Sequence, residues 1–204
     1  MVQLFINGGG FMWPILIAFI IGLVFVVERL VHLISGLATG EKFALEVSES
    51  VRTNGIEQTK TEHEGAKGPV ANLCLIALDR ADRGAEEAEA ALDNAGAVEM
   101  ASLEKNMTWI SLMIAVAPMM GFLGTVWGMI QAFNDIKAAN DISPAVVAGG
   151  ISVALLTTAF GLIVAIILQF LQNACLYIID NQVVTMQKSI AALITSIKDH
   201  FHKK

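Results

Sequence analysis

The sequence predicts an all-α, polytopic membrane protein with three transmembrane helices, two of them long and extending into a cytoplasmic helical domain. Hydrophobic residues make up 55% of the 204 residues and charged residues only 16%, a balance that indicates several membrane spans. The charges are also segregated: residues 28–105 hold 15 of the 19 acidic residues and 8 of the 13 Lys and Arg residues. This segregation predicts a water-exposed domain between the first and second spans.

The first span is predicted from an apolar run near the N-terminus. Phe11–Val27 contains 17 uncharged residues, which is close to the minimum length of a transmembrane helix. A signal peptide is the alternative, but no basic segment precedes the run, and it ends at Glu28-Arg29 instead of a small-residue cleavage site. We therefore expect a span with Pro14 near its first helical position, where proline is tolerated.

The other boundaries follow from the alternation of charged and apolar stretches. The predicted segments are a periplasmic N-terminal segment at 1–10, transmembrane helix 1 at 11–30, a cytoplasmic helical domain at 31–106, transmembrane helix 2 at 107–133, a periplasmic loop at 134–144, transmembrane helix 3 at 145–175 and a cytoplasmic C-terminal helix at 176–204. Lys and Arg number 12 on one side of the three spans and 1 on the other. The positive-inside rule then places the N-terminus in the periplasm and the C-terminus in the cytoplasm.

Local signals predict how the cytoplasmic domain is divided into helices. A helix is expected to start at Thr39-Gly40 and to stop at Asn54-Gly55, and 65–69 is a clear break because it holds two glycines and a proline. A further helix is expected from about Ala85. No strong stop follows before Asn134, so the pattern predicts one helix of roughly 50 residues, about 75 Å long.

The third span and the cysteines complete this outline. Ser143-Pro144 is a favourable N-cap followed by proline at the first helical position. Cys74 and Cys175 lie far apart, with no spacing typical of a disulfide framework or a zinc site. We expect both to be free thiols on the reducing side, and we expect neither a metal site nor a bound cofactor.

Small residues mark one face on each of the last two spans. Gly121, Thr125 and Gly128 share a face of the second span, and Gly124 lies beside them. The corresponding face of the third span is spaced i, i+3, i+4, i+7 and i+11, and its members are Ala154, Thr157, Thr158, Gly161 and Ala165. A lipid-facing helix has no need of such a stripe, whereas a helix packed closely against another backbone does.

Three hydroxyls in these spans are the candidates for function. The chain has no Walker A loop, GxSxG or HExxH motif, so no enzyme and no catalytic residue is predicted. Thr125, Thr157 and Thr158 are expected to line an ion path, with packing as the alternative, because intramembrane hydroxyls commonly bond to their own helix. A threonine cannot carry a proton by changing charge. An ion path here therefore requires a carboxylate from a partner chain.

The pair Glu28-Arg29 lies at the predicted cytoplasmic end of the first span. An adjacent acid and base at a membrane edge most simply act as an interfacial anchor, which is the role that we expect.

These residues resemble the MotA/TolQ/ExbB proton channel family. The matching segments are MWPIL at 12–16, ERL at 28–30, LEKN at 103–106, Ala-Pro at 117–118, GFLGTVWG at 121–128, Gly-Ile at 150–151 and ALLTTAFGL at 154–162. The resemblance covers the whole chain and is most specific in the last two spans. The length and the three spans are similar to the ExbB/TolQ branch, since MotA-type proteins are longer and have four spans.

The resemblance implies the pore-forming subunit of an ion-driven motor in the bacterial inner membrane. It implies a homopentamer around a dimeric, single-span ExbD/TolR-type partner whose intramembrane Asp takes the ion. Thr125 and Thr158 match pore threonines opposite that Asp, and a TonB/TolA-like periplasm-spanning protein is a further implied partner. Membrane lipid surrounds such an assembly, and no nucleic acid partner is expected.

Two departures from the family pattern concern the third span. Relatives often carry Glu at the position of Val153, and their Ala-Ile-Pro is here 165–167, Ala-Ile-Ile. We favour protons as the transported ion, and keep sodium open because paired Thr157-Thr158 resembles sodium-driven relatives. A non-conducting membrane scaffold for a periplasmic partner is the alternative of another class. A solute transporter is disfavoured, since no inverted repeat or broken-helix pair is visible.

Overall fold

The computed structural model describes residues 2–37, 40–66, 68–139 and 144–202, and these residues form helices without any β-strand. In chain order the helices are α1 (Val2–Asn7), α2 (Met12–Leu37), α3 (Gly40–Asn54), α4 (Ile56–Glu62), α5 (Pro69–Ala81), α6 (Ala85–Leu103), α7 (Met107–Ala139) and α8 (Pro144–His202). The predicted all-α class is confirmed. The predicted start at Thr39 and N-cap at Ser143 lie outside the described residues.

Three stretches are long and apolar enough to cross a membrane. They are Met12–Ile34 in α2, Ala85–Ala138, which contains α6 and most of α7, and Val147–Asp199 in α8. At 1.5 Å per residue, α7 with 33 residues is about 50 Å long and α8 with 59 residues is about 88 Å long. Both exceed the ~30 Å hydrocarbon core of a bilayer. The prediction of three spans, two of them in long helices that extend beyond the membrane, is confirmed.

The prediction of one uninterrupted helix from Ala85 to about Asn134 is wrong. Helix α6 ends at Leu103 and α7 begins at Met107. Asn106 between them has a φ of 65°, the left-handed region that Asn tolerates better than most residues. Its side-chain Nδ2 donates a hydrogen bond of 3.1 Å to Glu28 Oε2 in α2. Because no Gly or Pro marks this break, the sequence pattern did not reveal it.

Other helix boundaries agree with the sequence. Gly55 follows the end of α3 with a φ of 85°, and Gly68 precedes α5 with a φ of 128°. Both conformations are unfavourable for residues with a Cβ atom, which is why glycine occupies these turns. The predicted stop at 54–55, the break at 65–69 and the helix start at Ala85 are all confirmed.

The chain divides into two compact units. The first comprises Met1–Arg29 with Asn106–Cys175, and the second comprises Leu30–Lys105 with Leu176–Lys204. The predicted boundaries between membrane and aqueous segments remain predictions. Which side of a membrane the second unit faces remains a prediction.

The second unit has its own hydrophobic core. Fully buried side chains come from α2, α5, α6 and α8, and they include Leu33, Leu78, Leu92, Leu193 and Ile197. The side-chain Nε2 of Gln182 in α8 also donates a 2.7 Å hydrogen bond to the carbonyl of Leu33, within this core. Leu193 and Ile197 therefore lie on the face by which α8 packs in this unit.

In the first unit, α7 and α8 approach each other through small residues, in antiparallel order. A methyl group added to Gly124 would lie 2.6 Å from Thr157 Oγ1, and one added to Gly161 would lie 2.6 Å from the Ala117 carbonyl oxygen. The same is true along the rest of the contact, where Gly121 meets the backbone of 157–158, Gly128 meets Ala154 and Gly150 meets Ala132. At each of these glycines, the facing helix is too close for a Cβ atom to fit without a shift.

This close contact predicts that Gly124→Ala destabilises the protein. The added methyl would overlap Thr157 and force the helices apart, at a cost of roughly 1–3 kcal/mol for overpacking. The measurement is the melting temperature of the purified protein in detergent. Gly149→Ala is the matched control, because Gly149 lies in α8 with nothing within 4 Å of an added methyl. Equal melting temperatures for the two variants would contradict the packing.

The core of the second unit predicts an unreactive thiol at Cys74. The side chain is buried in α5, and burial raises the pKa of the Cys74 thiol to about 12. Since the thiolate is the reactive species, alkylation at pH 8 should be roughly a thousandfold slower than for an exposed cysteine. Mass-spectrometric mapping after maleimide treatment measures this, with Ala97→Cys on the exposed side of α6 as the fast control. Rapid labelling of Cys74 in the folded protein would contradict the buried position.

Candidate functional site

Thr157 lies at the centre of the contact between α7 and α8. Its side chain is 1% exposed, and its Oγ1 lies 2.8 Å from the carbonyl oxygen of Ala154 in its own helix and 3.2 Å from that of Gly121 in α7. Gly124 faces it directly. Thr157 therefore packs between the two helices and has backbone acceptors within the chain.

Thr158 and Thr125 are more accessible than Thr157. Both are half-buried. Thr158 Oγ1 donates to the same Gly121 carbonyl at 3.3 Å, whereas Thr125 Oγ1 donates to the carbonyl of Phe122 in its own helix at 2.6 Å. Each hydroxyl donates to a carbonyl acceptor in the chain, and each hydroxyl oxygen retains lone pairs that can accept a further hydrogen bond.

The structure brings together part of the predicted set. Thr157 and Thr158 share Gly121 as acceptor, and the predicted packing residues Gly121, Gly124, Gly128, Ala154 and Gly161 lie at the α7–α8 contact. Among the hydrogen bonds of the described residues, none joins Thr125 to either threonine of α8. Thr125 is thus placed beside the contact, with its hydroxyl held by its own helix.

The pair Glu28-Arg29 lies in α2, at the predicted membrane edge. Glu28 and Arg29 form an ion pair, in which Arg29 is 3% exposed and Glu28 is 45% exposed. A buried guanidinium requires such a partner, because an unpaired charge inside a protein is costly. Arg29 is therefore buried with its charge paired, and the anchoring role of both residues remains a prediction.

Polar side chains beyond these threonines also lie in the membrane-spanning part of α7 and α8. Gln172, which is 8% exposed, donates from Nε2 to Ser111 Oγ at 2.5 Å, and Gln169 Nε2 donates to Asn173 Oδ1 at 3.3 Å. These residues were not among the sites predicted from the sequence. Amides within an apolar stretch of sequence are the signal that would have revealed them.

Val153 is the position at which the family resemblance implies Glu in many relatives. A methyl group added to Gly9 would lie 3.6 Å from Val153 Cγ1, so this side chain lies near the turn between α1 and α2. No residue from 107 to 133 or from 145 to 175 is Asp, Glu, Lys, Arg or His. The hydroxyl-bearing faces of α7 and α8 thus have no acidic or basic side chain in the same spans.

Comparison with known proteins gives a consistent set of relatives. Residues 57–188 match the MotA/TolQ/ExbB proton channel family. The putative biopolymer transport protein ExbB homolog of Methanothermobacter thermautotrophicus is 32% identical over 184 residues, which are 89% of this chain and 65% of that protein. The biopolymer transport protein exbB1 of Vibrio cholerae is 29% identical over 164 residues, which are 76% of this chain and 69% of that protein.

A shorter alignment joins the chain to the second protein type of this branch. The Tol-Pal system protein TolQ of Haemophilus influenzae is 40% identical over 68 residues, which are 33% of this chain and 30% of that protein. The chain spans slightly less than two thirds of the archaeal ExbB homolog. With the family match over residues 57–188, the three apolar helices and these relatives, the chain belongs to the MotA/TolQ/ExbB proton channel family, in its ExbB/TolQ branch.

Proposed function

We propose that this chain is the pore-forming subunit of an ion-driven, ExbB/TolQ-like motor in the inner membrane. The observation that supports this proposal is that the half-buried hydroxyls of Thr125 and Thr158 lie beside a close α7–α8 contact, and neither span contains an acidic or basic residue. The family comprises channel and motor subunits, so the prediction that the chain is not an enzyme is confirmed.

The chemistry of this face requires a second chain. A hydroxyl can donate to a carboxylate or accept from a carboxylic acid, but it does not titrate in the physiological range. The group that takes up and releases the ion is therefore an Asp on a single-span partner of the ExbD/TolR type. Thr125 and Thr158 hydrogen-bond this Asp, while Thr157, which is 1% exposed, holds the two helices in register.

The assembly that we propose is the one that the family resemblance implies. We propose a homo-oligomer, a pentamer, that encloses a dimer of the single-span partner and transmits work to a TonB/TolA-like protein across the periplasm. In the proposed orientation the N-terminus is periplasmic and the C-terminus is cytoplasmic, as the distribution of Lys and Arg favours.

Protons are the proposed ion. The description of the family as proton channels supports this choice. Sodium is the alternative, because Thr157-Thr158 resembles the pair found in sodium-driven relatives. A non-conducting scaffold is the competing function of a different class, and the hydrogen bonds of all three threonines to backbone carbonyls agree with it.

The threonines provide the decisive test. Thr125→Val together with Thr158→Val should abolish ion flux into vesicles that contain the chain and its co-purifying single-span partner. The reason is that valine keeps the shape of threonine but removes the hydroxyl. Proton flux is read from a pH-sensitive dye and sodium flux from radioactive sodium.

Matched variants separate conduction from assembly. Thr125→Ser with Thr158→Ser should retain flux, and so should Thr195→Val, since Thr195 donates to Ala191 in the exposed part of α8 just as Thr125 donates to Phe122. Unchanged flux in the double valine variant would exclude the proposed role. A wild-type complex with no flux above empty vesicles would support the scaffold.

A further inference from the structure

An open cavity lies between α7 and α8, away from the threonines. Its volume is about 350 Å³, and it is lined by Ile114 of α7 and by Ala165, Ile166, Gln169, Phe170 and Asn173 of α8. At about 30 Å³ per molecule it has room for several waters. Two of the lining side chains are primary amides in an otherwise apolar surface.

The cavity lies inside the apolar part of both helices. Helix α7 begins at Met107, and Ile114 is seven residues further on, about 10 Å along this charge-free stretch. In α8, Gln169 precedes the first charged residue, Asp180, by eleven residues, or about 16 Å. Exposed amides at such a depth are unfavourable in contact with lipid tails.

The two amides are only partly satisfied by each other. Gln169 and Asn173 are exposed and share one long hydrogen bond of 3.3 Å, although each amide has two donor hydrogens and an acceptor oxygen. The neighbouring Gln172 differs, because it is buried and bonded to Ser111 at 2.5 Å. The chain therefore provides an internal partner for one amide at this level and presents the other two to the cavity.

A backbone oxygen adds a third polar group. Pro118 lies inside α7 and has no N–H, so the carbonyl of Ile114 lacks the donor that the helix would otherwise supply four residues later. Ile114 is the α7 residue that lines the cavity. The cavity thus combines two side-chain amides with a residue whose carbonyl has lost its helical donor.

The cavity lies on the same helix faces as the candidate ion path. Thr158, Ala165 and Gln169 are spaced i, i+7 and i+11 in α8, which places them on one face. Ile114, Pro118 and Thr125 have the spacing i, i+4 and i+11 in α7. Gln169 is eleven residues from Thr158, about 16 Å along the helix.

We propose that this cavity is a hydrated vestibule of the ion path, in which neutral oxygens hold a monovalent cation with its waters. The oxygens are Gln169 Oε1, Asn173 Oδ1 and the Ile114 carbonyl. Neutral oxygens attract a cation, and without a fixed charge they release it readily, as a conducting site requires. This inference rests on the proposed function and adds a cation-holding site to it.

Cysteine accessibility tests the hydration. Gln169→Cys and Asn173→Cys, in the complex with its co-purifying partner in vesicles, should react at least tenfold faster with a membrane-impermeant methanethiosulfonate than Ile167→Cys. Ile167 is 41% exposed on another side of α8, and a thiol in lipid does not form the reactive thiolate. Both native cysteines are buried, so the unsubstituted chain gives the background. Rates equal to that of Ile167→Cys would overturn the proposal, as would disulfide-linked copies of the chain in place of labelling.

The charge of the labelling reagent tests whether the cavity holds a cation. A trimethylammonium methanethiosulfonate should react at least fivefold faster than a sulfonate reagent at positions 169 and 173, after each rate is divided by that for a small thiol in solution. A ratio of one or less would overturn cation binding. Labelling requires no ion flux, so this result is independent of the threonine experiment. If the valine variants lose flux and positions 169 and 173 remain unlabelled, the vestibule alone is wrong.

Discussion

The carbonyl oxygen of Gly121 accepts from the hydroxyls of two consecutive residues in the facing helix, Thr157 and Thr158, at 3.2 Å and 3.3 Å. This arrangement requires that the two backbones lie in near contact, which glycine at 121 and 124 permits. Between lipid-embedded helices there is no hydrophobic driving force, so packing and interhelical hydrogen bonds have to hold them together. The register of α7 against α8 depends on this contact.

That register determines what each hydroxyl can do. Thr157 is the residue that meets Gly124, and it is buried as a consequence. Thr158 follows it on α8 and remains half-buried, and Thr125 follows Gly124 on α7 and is also half-buried. The close contact thus removes one hydroxyl from the surface and leaves one on each helix accessible. In the proposed function, only these two meet the partner's carboxylate.

The sequence predicted those features that have a regular signal. Three apolar stretches, small residues at helical spacing, and glycines at 55 and 68 each correspond to one physical requirement, and the structure contains the corresponding elements. The break at 104–106 could not be predicted in this way, because Asn106 adopts a left-handed conformation without glycine or proline nearby. The bond between Ser111 and Gln172 joins side chains from different helices. Such pairs follow from register, which composition and periodicity leave open.

The cavity could be predicted only in part, because the residues that make it polar are visible in the sequence. Proline at 118 frees a carbonyl four residues earlier, and amides at 169 and 173 interrupt an apolar run. What the sequence could not provide is that residue 114 of one helix and residues 169 and 173 of the other border the same space.

The valine at position 153 bears on which chain supplies the titrating carboxylate. The family resemblance implies Glu there in many relatives, whereas this chain has a valine near the turn at Gly9. Every polar group identified along α7 and α8, from Thr125 and Thr158 to Gln169 and Asn173, is neutral at all physiological pH values. A path built in this way can hydrate and position an ion but cannot titrate. In the proposed motor, the response of ion flow to pH therefore originates in the partner's carboxylate, and this chain sets the hydrogen bonds and the water that surround it.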